Sequence, residues 1–142
     1  MDNPIALSVL PSYVWTVPTT VQCGFPSPAE DHSEQRLDVS SLLIQQPDAT
    51  FFMRVRGASM RDAGIDDGDL VVIDRSISAK HSQIVVAVVD GEFTIKRLHK
   101  KGRQVRLDAA NPTFPNIELK DGQELVIWGV VTWTLKKHTH GA

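Results

Sequence analysis

The sequence predicts a mainly β protein, a compact domain of short strands preceded by an extended N-terminal arm. Apolar, β-branched runs of strand length recur from residue 50 onwards. Turn-forming pairs such as Asp90-Gly91 separate these runs. The helical signal is weak, because only the segment 39–46 could form one or two turns. Together these observations favour a sheet built from tight hairpins.

Residues 1–36 are predicted to form a flexible arm. They are rich in residues that interrupt regular structure, and the segment 26–36 is polar with neither helical nor strand periodicity. The character changes at residue 37, where apolar runs begin. The sequence therefore predicts two parts, an arm at 1–36 and a folded β-rich domain at 37–142. The interrupting residues of the arm are Pro4, Pro11, Pro18, Gly24, Pro26 and Pro28.

Five stretches of the folded part are strand-like. The clearest is 83–98, where two apolar runs flank Asp90-Gly91. Asp-Gly between strand patterns is a strong hairpin signal, because both positions of the turn need a positive φ. A β-hairpin is therefore predicted there. The other stretches are 50–57, 69–75, 103–109 and 123–137.

The last predicted strand is apolar on both of its period-two faces. Leu125, Ile127 and Val131 lie on one face, whereas Val126 and Trp128 lie on the other. A strand with one face in water alternates apolar and polar residues. Two interpretations remain open: both faces lie in the core, or one face packs against a second subunit.

Composition limits the classes of function. The chain has 142 residues, a formal net charge of −2 and one cysteine. This length fits one domain, and this charge gives no support for direct, sequence-specific DNA binding. No apolar run approaches the roughly 18–20 residues of a membrane span, and the N-terminus lacks the basic start of a signal peptide. We expect a cytoplasmic protein without a membrane anchor, in agreement with its single thiol.

Ser59, in the tetrapeptide GASM at 57–60, is a candidate nucleophile that needs a base. The chain has five scattered histidines, and GASM lacks the closing glycine of a nucleophile elbow. Metal-ligand spacing and a phosphate-binding glycine loop are also missing from the sequence.

Lysine is the other base available to a serine. Lys96 lies within the second strand of the predicted hairpin, where burial could keep its amine neutral. Lowering its pKa to neutrality needs a drop of about 3.4, or about 4.6 kcal/mol. A solvated strand lysine is the structural alternative.

Several motifs, in order, resemble the LexA/UmuD family of Ser-Lys self-cleaving proteins. They are VQCGFPSPAED (21–31), GASM (57–60), DGDLVVIDRSI (67–77), FTIKRL (93–98), LDAANPTFPNIEL (107–119) and WGVVTW (128–133). The resemblance covers roughly residues 20–133. It implies a compact peptidase domain of short, strongly bent strands behind an extended arm.

The same resemblance implies residue roles. Ser59 is expected to be the nucleophile and Lys96 the general base. Cys23-Gly24 is expected to be the scissile bond, so that Cys23 is a substrate residue and not a catalytic thiol. The backbone amides of Ala58 and Ser59 are expected to form the oxyanion site. No cofactor and no metal are implied.

The segment before Cys23-Gly24 distinguishes branches of the family. Repressors carry a helix-turn-helix domain there, but this segment has only 23 residues, with three prolines and neither Lys nor Arg. Signal peptidases share the Ser-Lys pattern but need a membrane anchor. The resemblance therefore points to the UmuD-type branch.

That branch implies an SOS-response role. A RecA filament on single-stranded DNA would stimulate self-cleavage, and the product 24–142 would dimerise and join a Y-family DNA polymerase subunit. A non-catalytic β-rich protein-binding module is the alternative. Cleavage within one chain or between two stays open, because the 34 residues between Gly24 and Ser59 could extend over roughly 110 Å. The 123–135 strand is the candidate dimer surface.

Overall fold

The computed structural model describes residues 11–17, 20–26, 34–119 and 123–139. The chain divides into two compact units, Met1–Pro47 and Asp48–Ala142. Each unit is described by itself. The division into an arm at 1–36 and a domain at 37–142 stays a prediction, and residues 1–10, 18–19 and 27–33 of that arm lie outside the described residues.

The first unit contains a two-stranded antiparallel sheet and a short helix. Strand β1 (Tyr13–Thr16) pairs with β2 (Gln35–Asp38), and helix α1 (Val39–Leu43) follows directly. Asp38 caps the helix by accepting from the Ser40 backbone N–H, and it also accepts from the Ser12 N–H. The predicted one or two helical turns at 39–46 are therefore present.

The two strands of the first unit were not predicted. The Arg36 guanidinium lies over the rings of Tyr13 and Trp15, at 4.9 and 5.5 Å from their centroids. Such cation–π contacts stabilise a pairing between segments that are some 20 residues apart in sequence. Period-two alternation carries no information about this pairing, because both aromatic side chains remain more than half exposed.

The second unit is built on one antiparallel sheet, with seven strands among the described residues. Their order is β3-β4-β9-β5-β6-β7-β8, and each neighbouring pair is antiparallel. This confirms the predicted mainly β class. The strands are β3 (Thr50–Arg54), β4 (Leu70–Asp74), β5 (Ile84–Val89), β6 (Glu92–Lys101), β7 (Gln104–Asp108), β8 (Ile117–Glu118) and β9 (Leu125–Leu135). Two 3₁₀ segments, Pro47–Ala49 and Arg61–Ala63, complete the regular structure described here.

The predicted hairpin is present and positions the candidate lysine. Strands β5 and β6 are joined by Asp90-Gly91, whose φ values of 49° and 84° are both positive. Lys96 lies opposite Val85 in this pair, on the strand next to the central strand of the sheet.

None of the described helices is long and apolar enough to cross a membrane.

Strand β9 lies inside the sheet, between β4 and β5, and contains two bulges. The pairing register shifts opposite Val72/Ile73 and opposite Val86/Ala87, which leaves Thr132 and Trp128 as the extra residues. After a bulge, the side of the sheet that odd-numbered residues faced is faced by even-numbered residues instead. Strand β9 therefore needs apolar residues at both odd and even positions to contact the core along its length.

Burial confirms the first of the two interpretations of β9 for its central part. One core cluster, around Val85, Leu98 and Leu107, receives Ile127 and Val130. The other cluster, around Met60, Ile65 and Ile73, receives Trp128 and Val131. Val126 and Trp133 remain 53% and 41% exposed, and the dimer surface on this strand stays a prediction.

Candidate active site

Ser59 lies in a loop that is anchored to the hydrophobic core. This serine loop, residues 57–60, follows β3 and Val55. Gly57 has a φ of +94°, a region that favours glycine, and its N–H donates to the Asp67 carboxylate at 2.8 Å. Met60 ends the loop with a side chain only 1% exposed. Together they anchor Ser59 between a turn and the core.

A second segment holds the other side of the serine loop. The Ala110 N–H donates to the Ser59 carbonyl at 2.7 Å, and the Ala110 carbonyl accepts from the Asp62 N–H at 2.7 Å. The Asn111 side-chain amide donates to the Ala58 carbonyl at 2.8 Å. These contacts join residues about 50 positions apart, so the loop geometry depends on the whole second unit.

Lys96 reaches the serine from strand β6. Its Nζ donates to Ser59 Oγ at 2.8 Å, and also to Thr94 Oγ1 and the Ile95 carbonyl, both at 3.1 Å. The residue is 8% exposed. All three partners are uncharged, and none of the described carboxylates forms an ion pair with this lysine.

Burial lowers the pKa of Lys96 from its ordinary value of 10.5. Desolvation is the cause, because a charged ammonium loses more hydration than a neutral amine does. In the part of the chain that the structure describes, no carboxylate offsets this loss. The environment thus favours the neutral amine, which has a lone pair and can accept a proton from a hydroxyl.

Ser59 and Lys96 lie on the wall of a cleft of about 320 Å³. A cleft in which polar groups converge between apolar side chains is typical of a binding or catalytic site. Arg54 and Arg56 also line this cleft and add positive charge to it. The remaining lining residues are Met53, Val55, Val71, Val86, Phe93, Thr94 and Ile95.

The backbone N–H groups of Ala58 and Ser59 are available as donors. Within the part of the chain that the structure describes, neither group donates a hydrogen bond. Free, fixed N–H groups beside a nucleophilic oxygen are the usual components of an oxyanion site. Within the same part of the chain, no group of three or more His, Cys, Asp or Glu side chains could hold a metal ion.

Cys23 and Gly24 lie in the first unit, between β1 and β2. Both residues are exposed, and the Cys23 thiol is free. A Cβ added at Gly24 would meet no atom within 4 Å.

Sequence reasoning paired Ser59 with Lys96 but missed the residues that hold them. Asp67, Thr94 and Asn111 lie within the motifs of the sequence but have no predicted role of their own. Their contacts depend on side-chain direction across the fold, which a single sequence does not contain.

Fold and site together define a class of protein: a β-rich domain in which a buried lysine contacts a serine beside a cleft. Residues 15–132 match the family described as Peptidase S24-like, which includes self-cleaving serine peptidases. Among curated proteins, the chain is similar to MucA from Salmonella typhimurium, at 44% identity over 119 residues that cover 83% of this chain and 81% of MucA.

Two further relatives are similar to this chain at nearly the same identity and coverage. ImpA from Shigella flexneri is 44% identical over 118 residues, covering 82% of this chain and 79% of ImpA. SamA from Salmonella typhimurium strain LT2 is 45% identical over 114 residues, covering 80% of this chain and 79% of SamA. The chain belongs to the Peptidase S24-like family and is a UmuD-type member of its LexA/UmuD group.

Proposed function

We propose that this protein cleaves its own chain at Cys23-Gly24, with Ser59 as nucleophile and Lys96 as general base. The observation that carries the proposal is the 2.8 Å contact between Lys96 Nζ and Ser59 Oγ, made by a buried lysine that has no ionic partner among the described residues. Family membership supports the same chemistry.

The proton moves along this contact. In the neutral form, Lys96 accepts the Ser59 hydroxyl proton while Oγ attacks the carbonyl carbon of Cys23. Thr94 Oγ1 and the Ile95 carbonyl accept hydrogen bonds from Nζ and leave its lone pair directed at the serine. Lys96 then gives the proton to the leaving amine of Gly24, and a water molecule hydrolyses the acyl-serine with Lys96 as base again.

Charge on the attacked oxygen requires fixed donors. The Ala58 and Ser59 N–H groups are proposed to supply them, because both are free of acceptors among the described residues. Preorganised donors of this kind often contribute the largest single stabilisation of an acyl-transfer transition state.

The biological role follows from the UmuD-type group. We propose that a RecA filament on single-stranded DNA stimulates the cleavage in the cytoplasm during the SOS response. The product 24–142 then acts as a homodimer that joins a Y-family polymerase subunit for translesion synthesis. With a net charge of −2, contact with DNA is assigned to these partners and not to this chain.

The test is incubation of the purified chain with RecA, single-stranded DNA and a nucleoside triphosphate, followed by mass spectrometry of the fragments. We expect a product that begins at Gly24 and its disappearance in Ser59→Ala and in Lys96→Ala. Ser78→Ala and Lys100→Ala are matched controls, since both side chains are exposed and lie away from the contact. Cleavage that persists in Ser59→Ala contradicts the assignment. Complete absence of Ser59-dependent cleavage under all conditions supports the non-catalytic binding module instead.

A further inference from the structure

Asn111 is a buried polar residue without a role in the reaction described above. It lies between β7 and β8 and is only 6% exposed. Its Oδ1 accepts from the Thr113 backbone N–H at 3.1 Å and from Thr113 Oγ1 at 2.9 Å, while Nδ2 donates to the Ala58 carbonyl at 2.8 Å. Buried amides are usually satisfied in this way. The target here, however, is the serine loop.

These contacts fix the orientation of the Asn111 amide. The backbone N–H of Thr113 is a donor only, so the amide oxygen must face it. The NH₂ group therefore faces Ala58 and cannot exchange places with the oxygen. The serine loop thus receives a donor held at a fixed angle from outside the loop.

Holding the Ala58 carbonyl also aims the Ser59 N–H. Both groups belong to one planar trans peptide, in which C=O and N–H point in opposite directions. The Arg61 N–H also donates to the Ala58 carbonyl, but at 3.3 Å, which is outside the usual range for a strong bond. Asn111 therefore provides the closer restraint on this peptide.

The neighbouring peptide is restrained in the same way. The Ala110 N–H holds the Ser59 carbonyl, which fixes the direction of the Met60 N–H. Residues 110 and 111 thus hold two successive peptides of the serine loop from one side. A loop that begins at Gly57 needs such restraint, because glycine has the widest backbone freedom.

We propose that Asn111 is a positioning residue that aims the Ser59 N–H at the oxyanion formed during cleavage. This inference rests on the proposed function. Asn111 does not touch the reacting atoms. It acts through the Ala58 carbonyl and makes the donor direction independent of the substrate.

The test uses full-length Asn111→Leu and its self-cleavage rate without RecA across alkaline pH. Leucine keeps the size of the side chain and adds no charge, but it removes the donor to the Ala58 carbonyl. We expect the high-pH plateau of the rate to fall by about 10- to 100-fold, somewhat less than removal of an oxyanion donor itself. The pH midpoint is expected to stay at its native value, because Lys96 keeps its surroundings.

Two further variants make the result specific. Asn116→Asp changes an exposed amide on the same segment, and its Oδ1 can still accept from the Ala109 N–H, so we expect the native plateau. Thr113→Val removes only the hydroxyl contact to Asn111. We expect a smaller fall in the plateau, again at an unchanged midpoint.

The outcomes separate positioning from structural support. If Asn111 only supported the fold, replacing it would admit water to Lys96 and move the pH midpoint together with the plateau. That result would overturn the inference. A native plateau in Asn111→Leu, or an equal loss in Asn116→Asp, also overturns it. If Asn111→Leu does not fold by circular dichroism, a native plateau in Thr113→Val overturns it. None of these results affects the proposed function, which fails only if cleavage does not depend on Ser59.

Discussion

At the scale of single residues, the site depends on a lysine that is buried without a counter-charge. Lys96 has three hydrogen-bond acceptors, all of them neutral, and is 8% exposed. A carboxylate in their place would hold the ammonium charged and raise its pKa. The absence of an ion pair here, among the described residues, is what makes the amine suitable as a base.

The lowered pKa of Lys96 predicts the pH dependence of self-cleavage. Below this pKa the amine is charged and cannot accept the Ser59 proton, so the rate rises about tenfold per pH unit. Above it the rate reaches a plateau. Because burial lowers the pKa, we expect the midpoint below the ordinary value of 10.5.

The measurement is the first-order rate of fragment formation from about pH 6 to about pH 11. Lys100→Ala serves as control and should reproduce the native profile, since this lysine is exposed on the same strand. A flat profile from neutral to mildly alkaline pH, or a midpoint at the ordinary lysine value, would contradict the role of Lys96.

At this scale the sequence predicted that Ser59 and Lys96 come together, but not which residues support them. The place of Lys96 in a hairpin strand, the need for a base and family resemblance predict this pair. Asp67 and Asn111 act through backbone atoms of the serine loop, at 2.8 Å each. Such contacts depend on loop conformation, which residue types alone do not specify.

At the scale of elements, the sequence predicted structure correctly where the whole signal for a turn or a strand lies within a few adjacent residues. Asp90-Gly91 predicted the β5–β6 hairpin because the turn chemistry is contained in two residues. The faces of β9 could not be assigned from period two, because Trp128 and Thr132 are bulged. The pairing of β1 with β2 was not predicted either, because the two segments share no periodic pattern.

Gly129 of β9 lies where the neighbouring side chains leave no room for a Cβ atom. A Cβ at this position would lie 2.5 Å from Ile73 Cγ2 and 3.2 Å from Arg75 Cγ. We expect Gly129→Ala to lower the free energy of unfolding by about 1–3 kcal/mol, the usual cost of overpacking. Chemical denaturation of Gly129→Ala and the native chain measures this difference.

The double variant with Ile73→Ala identifies the clash. Removing Cγ2 should make the combined loss of stability smaller than the sum of the two single losses. Gly24→Ala is the control, because a Cβ there meets no atom within 4 Å. Additive losses would show that the Ile73 contact is not the cause.

At the scale of the whole molecule, one exposed aromatic residue of β9 suits the proposed dimer. Trp133 is 41% exposed, on the face of the sheet opposite to that of Val126. Aromatic side chains at such positions often anchor interfaces. We therefore expect Trp133→Glu to weaken dimerisation, because a carboxylate would be desolvated at the interface.

Light scattering of the purified chain over a dilution series measures the change. Phe114→Glu is a matched control, since Phe114 is also 41% exposed but lies outside β9. We expect the dimer dissociation constant to rise by at least about tenfold in Trp133→Glu, which corresponds to about 1.4 kcal/mol. An unchanged mass at every concentration would exclude this surface.

The position of Cys23-Gly24 between β1 and β2 gives the proposed cleavage a thermodynamic direction. Before the cut, the two strands are tethered by the same chain, at an effective concentration of the order of millimolar. After it, the pairing requires two separate molecules. At about 1 μM protein this change weakens the pairing by roughly 1,000-fold, or about 4 kcal/mol. A two-stranded ribbon is at best marginally stable, so dilution alone would carry the 1–23 peptide away and make religation negligible.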